Sequence, residues 1–274
     1  MEEKMNSNGL EEKTLRKNGY DIHYYLKGHP ESELIVFLHP ALGDHNCFYK
    51  QVDFFAKRYR VLTLDMVGHG QSQVQKSNVT IDATTEHVAE IMALENHSTA
   101  HVVGVSMGAL LAQDIAVKFP EKVKTVTAVG GYSIFGDNSE IQKAQSREML
   151  KWLFLIIFSM KRFREYITSV TVIYPQEREV FRKSMEFFTR SSFQVMSGMQ
   201  KVLRKDEKAI HHPLLILVGD HDLEVAKKAA KVWNQAEVGS EFHTIPDAGH
   251  CANMDNAKEF NDILWRFVGK NTSP

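Results

Sequence analysis

The sequence lacks most of what would mark a specialised environment. Its 274 residues include only two cysteines, Cys47 and Cys251. One bridge is therefore the most that could form, and a disulfide-stapled scaffold is excluded. An excess of one charge is missing too: 33 Lys and Arg stand against 34 Asp and Glu, a formal net charge of −1. With no run of basic residues long enough to track phosphates, nucleic acid is not an expected partner. The start, Met1 to Lys13, is acidic and polar without the apolar core of a secretory signal, so a cytoplasmic protein is expected. The most apolar stretch, Trp152 to Met160, is too short to span a bilayer, and no stable membrane insertion is expected. Metal-ligand spacings such as His-Glu-x-x-His and Cys-x-x-Cys are absent despite 13 histidines. A catalytic metal is not expected.

What is present has the composition of an ordinary globular protein, with 43% hydrophobic and 24% charged residues. Short, nearly continuous apolar runs recur at Leu34–Leu38, Val61–Leu64, His101–Gly104, Thr125–Val129, Leu214–Val218 and Glu241–Ile245. Such runs suit strands buried on both faces of a parallel sheet. Stretches of helical pattern separate them; one, Ala109 to Lys118, stops at Phe119-Pro120 as a helix should. The alternation implies a doubly wound α/β sheet. Ahead of it, Asn18-Gly19 between Thr14-Leu15-Arg16 and the alternating Asp21–Leu26 predicts an antiparallel edge hairpin.

The alternation lapses between Tyr132 and His212, a stretch rich in Met, Phe and Arg. Leu150–Phe163 and Val180–Phe188 are expected as helices with wide apolar faces. The expected organisation is a core of residues 1–131 and 213–274 with a helical cap inserted at 132–212.

The motif richest in chemistry is Gly104-Val105-Ser106-Met107-Gly108, which follows a predicted strand and opens a predicted helix. A turn this tight needs small residues beside the Ser, and the helix N-terminus aims backbone N–H groups at the reacting centre. A serine hydroxyl is a weak nucleophile that needs a base oriented by an acid. His250 follows the last predicted strand on the loop Ile245-Pro246-Asp247-Ala248-Gly249, at the sheet edge where ligands of open α/β sheets bind. The strand before it ends in Gly219-Asp220-His221-Asp222, so two carboxylates compete for the role of acid. Spacing alone does not choose between Asp220 and Asp222.

Together these strings resemble the α/β-hydrolase superfamily, in particular its small, cap-bearing, serine esterase-like branch. His39-Pro40-Ala41-Leu42-Gly43, Asp65-Met66-Val67-Gly68-His69-Gly70-Gln71-Ser72 and the Ala248-Gly249-His250 ending carry the resemblance beside the Ser106 elbow. It covers nearly the whole chain and implies a mostly parallel, eight-stranded sheet. It also implies a Ser106–His250–Asp222 triad, Asp222 being favoured over Asp220, and hydrolysis without a cofactor. The oxyanion hole would take the backbone N–H groups of Met107 and Ala41. One departure stands out: the family usually has His-Gly where this chain has His39-Pro40, and a proline has no N–H to donate.

The expected substrate is a small carboxylic ester with an apolar acyl group, because Trp152 to Phe158, with Phe187 and Phe188, suggest a greasy pocket. A thioester, a lactone or a carbon–carbon bond would suit the same triad, and a non-catalytic small-ligand receptor is a further alternative. Ser at the nucleophile position disfavours the haloalkane dehalogenase and epoxide hydrolase chemistries of the superfamily. A membrane-associated lipase would require a large exposed apolar patch on the cap, against which the shortness of the apolar run counts. His39, His69 and Asp65 are expected to brace loops, and His101 and His243 to be structural. The two cysteines are expected as buried or tolerated thiols.

Overall fold

The computed structural model describes residues 4–5, 9–205 and 210–272, so that parts of the acidic start (1–3 and 6–8) lie outside the described residues. The eight expected strands are present. In chain order they follow a two-residue edge strand, β1 (Lys4–Met5): β2 (Glu11–Lys17), β3 (Tyr20–Lys27), β4 (Leu34–Leu38), β5 (Arg60–Leu64), β6 (Ala100–Val105), β7 (Val123–Val129), β8 (Leu214–Gly219) and β9 (Glu241–Ile245). The sheet order is β1-β2-β3-β5-β4-β6-β7-β8-β9. β1, β2 and β3 pair antiparallel, β3 joins β5 antiparallel, and every pairing from β5 to β9 is parallel. The predicted hairpin turns at Asn18-Gly19, with Lys17 opposite Tyr20.

Alternation along each strand divides the core into two layers. On β4, Leu34, Val36 and Leu38 join one layer, and Ile35 and Phe37 the other. The first layer is covered by α2 (Thr84–Leu94), α3 (Met107–Lys118) and α8 (Glu224–Ala236), and the second by α1 (Tyr49–Phe55) and α10 (Ala257–Lys270). From β4 the chain moves to β5 on one side, then crosses back to β6 on the other. The segments leaving the C-terminal ends of β4 and β6 thus diverge to opposite faces, opening a crevice of the kind in which α/β sheets bind ligands.

Between β7 and β8 lie α4 (Ser139–Phe158), α5 (Met160–Thr171), α6 (Pro175–Ser184) and α7 (Arg190–Met196). Here the boundaries differ from expectation. The apolar run over 150–163 is split, because Ser159 adopts an extended conformation and its side chain caps the N–H of Arg162 at 3.3 Å. The 180–188 segment is split as well, into the end of α6 and a 3-10 turn at Met185–Phe187. A short helix, α9 (Ala252–Asp255), precedes α10.

A partly buried ion pair ties the edge hairpin to the parallel sheet. Both guanidinium nitrogens of Arg60, at the start of β5, reach the Glu11 carboxylate of β2 at 2.6 Å, and one also donates to the Gly28 carbonyl at 2.7 Å. Arg60→Ala is expected to lower unfolding free energy by about 2–3 kcal/mol, since Glu11 is left without its fork-like partner. Urea denaturation of the two proteins checks this.

Candidate active site

β6 runs straight into Ser106 and α3 starts one residue later, so the serine occupies the turn itself. Its backbone sits at φ 53°, ψ −112°, a region side chains other than Gly rarely adopt. Such strain costs roughly 1–3 kcal/mol and persists only where the surroundings enforce it. Here they do. The Ser106 N–H donates to the Val129 carbonyl at 2.7 Å, and its own carbonyl accepts from Ala109 at 2.9 Å. A Cβ on Gly104 would lie 2.1 Å from the Gly108 oxygen, and one on Gly108 would lie 2.2 Å from the Leu38 oxygen. Only glycine lets strand, helix and the end of β4 approach so closely.

His250 and Asp222 come together at the same edge. The imidazole Nδ1 lies 2.9 and 3.1 Å from the two Asp222 oxygens. An ionised carboxylate only accepts, so Nδ1 carries the proton and Nε2 is left with its lone pair. Burial acts to lower the His250 pKa, but the charge of Asp222 and its hydrogen bond outweigh it and hold the imidazole above its ordinary value. The other carboxylate is engaged elsewhere. Asp220 is 39% exposed at its side chain where Asp222 is at 0%, and it accepts the Ala248 N–H at 3.0 Å.

Gly130, at φ 58°, backs this pair: a Cβ there would meet the His250 ring at 3.0 Å and Asp222 Oδ2 at 3.2 Å. The next residue, Gly131, faces the Ser106 carbonyl. Ser106 and the His250–Asp222 pair thus flank the same end of β7. Among the described residues Ser106 Oγ makes no hydrogen bond. Sequence reasoning did not single out Gly130, although a Gly-Gly pair closing a strand was a legible signal.

The His39–Gly43 segment crosses the crevice beside the elbow. Pro40 to Gly43 form a turn closed by the Gly43 N–H on the Pro40 carbonyl at 3.1 Å, with Leu42 at φ 68°. That closing bond leaves the Ala41 N–H uncommitted, and Met107, which opens α3, has no intrahelical acceptor for its own. His39 is a brace: Nδ1 donates to the Pro40 carbonyl at 2.8 Å, and Nε2 accepts the Met66 N–H at 3.0 Å. Burial, with His69 nearby, pushes its pKa down to about 3, so it stays neutral.

Asp65 is fully buried and braces more widely. It accepts from the His45 ring at 2.7 Å, from the backbone of His45 at 3.0 Å and Gln71 at 2.8 Å, and from Tyr25 at 3.3 Å. Burial opposes its charge, yet the bonds and charge of His45 keep it below the usual carboxylate range. Asp255, unremarked in the sequence, accepts the N–H groups of Gly249 at 2.9 Å and Ile173 at 3.0 Å, tying the His250 loop to the α5–α6 junction. His101 is buried in β6, bonded to Thr125 at 2.9 Å, whereas His243 is exposed on the edge strand β9. Cys47 and Cys251 are free and buried, and burial raises both thiols.

The greasy surface divides differently from the expectation. Trp152, Leu153, Ile156 and Ile157 line a cavity of about 880 Å³ with Phe193, which the sequence did not flag. Phe188 is buried against His69 and Phe193, while Phe154, Phe158 and Phe187 face solvent.

The α/β-hydrolase-fold family model matches residues 33–154. The chain has the α/β-hydrolase fold. Over 265 residues it is 28% identical to the dihydrolipoyllysine-residue acetyltransferase component of the acetoin cleaving system of Cupriavidus necator, covering 92% of this chain and 67% of that protein. It is 24% identical over 258 residues to 3-oxoadipate enol-lactonase 1 of Acinetobacter baylyi, covering 92% and 94% of the two chains. A thermophilic esterase from Thermogutta terrifontis superposes with a TM-score of 0.81 at 17% identity, covering 96% of this hydrolase-fold chain and all of the other (100%).

Gly130→Ala is expected to cost about 1–2 kcal/mol of stability through its positive φ. It should also displace the His250 ring, seen as a shift or loss of the downfield Nδ1 proton resonance in NMR spectra.

Proposed function

We propose that the chain is a serine hydrolase that cleaves a small carboxylic ester with an apolar acyl group, without a cofactor. The observation that carries this reading is the Asp222-oriented His250 beside a strained Ser106 elbow. In the proposed mechanism Nε2 of His250 takes the Ser106 proton as Oγ attacks the carbonyl carbon. Asp222 holds the imidazole in the required tautomer and stabilises the imidazolium that results. The oxyanion rests on the N–H groups of Met107 and Ala41, each worth about 3 kcal/mol in the transition state. His250 then passes the proton to the leaving alcohol. Water, activated by the same base, releases the acid and regenerates the serine.

We read residues 132–212 as a cap over this site. The apolar residues of this segment, with Trp152, Ile156 and Phe193 lining an apolar cavity within it, support that reading. A second reading, lactone hydrolysis on the same triad, is favoured by the similarity to the Acinetobacter enol-lactonase along nearly the full length of both chains. In a lactone the leaving alkoxide stays attached to the acyl group, so a shallower pocket would suffice.

Hydrolysis of a chain-length series of p-nitrophenyl esters, beside simple lactones, separates the two. Ser106→Ala is expected to abolish turnover and labelling by a fluorophosphonate probe. A wild-type protein that neither turns over nor labels would favour a small-ligand receptor instead.

The pH profile follows from the raised His250 pKa. The base is competent only when neutral, so kcat/KM is expected to fall as pH drops through an apparent pKa above the ordinary imidazole value of about 6.5. Asp222→Asn removes the charge that raises it and leaves the burial that lowers it. The acid limb should move to lower pH while kcat falls by roughly 10³–10⁴, measured as kcat/KM from pH 4 to pH 9 at about unit intervals.

A further inference from the structure

The last turns of α4 present an apolar face that nothing among the described residues covers. Leu153, Phe154, Ile157 and Phe158 are 55%, 63%, 64% and 69% exposed, and Met149 and Leu150 continue the stripe one turn earlier. Positions 149, 153 and 157 form one column and 150, 154 and 158 the next, so all six share a face. The rings of Phe154 and Phe158 lie against each other at 4.5 Å. The opposite side of the helix is anchored, with Trp152, Leu155 and Ile156 packed on the core. Single exposed apolar residues are ordinary; six contiguous ones mark an interaction surface.

Charge indicates what that surface meets. Residues 139–171 hold six basic side chains against three acidic, in a chain whose formal net charge is −1. Lys161 and Arg162 follow directly on the stripe at the start of α5, and both are exposed. A second copy of the chain would bring two such positive rims together, and like charges disfavour that partner. An anionic lipid surface meets both demands at once, since its acyl boundary accepts the stripe and its phosphates accept the rim.

We propose that α4 docks the protein peripherally on an anionic membrane surface. The helix lies in the plane of the interface, with Phe154 and Phe158 in the acyl boundary and Lys161 and Arg162 against headgroup phosphates. No described helix is long and apolar enough to cross a membrane. The shortness of the apolar run argues against spanning but not against lying flat. The large exposed patch required of a membrane-associated protein is therefore present. Docking does not depend on the triad, and its test reads binding alone.

The full chain is sedimented with vesicles of phosphatidylcholine, or of equal parts phosphatidylcholine and phosphatidylglycerol. Partitioning is expected to be about tenfold or more stronger on the anionic vesicles and to weaken as salt rises. F154S/F158S should reduce it by about tenfold or more, with an unchanged melting temperature because both rings face solvent. The independent pair K161E/R162E should reduce it severalfold and erase the preference for anionic lipid. Failure to sediment with either vesicle would overturn the proposal, as would binding that both variants leave intact. It would equally be overturned by a dimer, seen in analytical ultracentrifugation, that F154S/F158S dissolves while vesicles bind nothing.

Discussion

The sheet edge that carries Ser106 depends on one steric fact: α3 approaches β4 and β6 more closely than any side chain would permit. Gly104 and Gly108 make that approach possible, and its consequence is the backbone strain at Ser106. A helix seated so low puts its first, unsatisfied N–H beside the serine and next to the loop leaving β4. The proposed nucleophile and oxyanion donors are then products of one contact. Because the strain is local and the strands around it are buried, the rest of the sheet holds it in place.

A second layer of order comes from buried polar groups that fasten loops to one another. The carboxylate of Asp65 gathers donors from β3, from the His45 turn and from the Gln71 loop, and neutral His39 joins the Pro40 carbonyl to the Met66 amide. Both fix the segment that carries Ala41. Proline in place of the family's usual glycine removes a donor at position 40, but the turn it begins leaves the next amide uncommitted. This chain thus holds its loop with a stiffer backbone and with side-chain braces.

Much of this was legible beforehand, for identifiable reasons. Strands buried on both faces leave continuous apolar runs, and a Gly-x-Ser-x-Gly string between strand and helix points to a nucleophile elbow. Two carboxylates two residues apart, Asp220 and Asp222, were not separable by spacing. What distinguishes them is the turn after β8, which aims one at the imidazole and the other at a backbone amide. The helices between β7 and β8 were legible as helices but not in their ends, because Ser159 turns extended and caps α5, and α6 tightens into a 3-10 turn at Met185 although the apolar pattern continues. Gly130 and Asp255 act through what they touch across the fold, so no local pattern announces them.

The bonds that Asp255 makes bear on how such a protein is rebuilt by recombination. The loop bearing His250 and the junction of α5 with α6 share that single carboxylate, and Cys251 adds a backbone bond to Thr171 at 3.0 Å. The helical segment is therefore not an exchangeable module. A chimera that imports the helices of a relative must keep the backbone of that junction within reach of position 255, or Asp255 retains only the Gly249 amide and the histidine loop loses its tie to the helices.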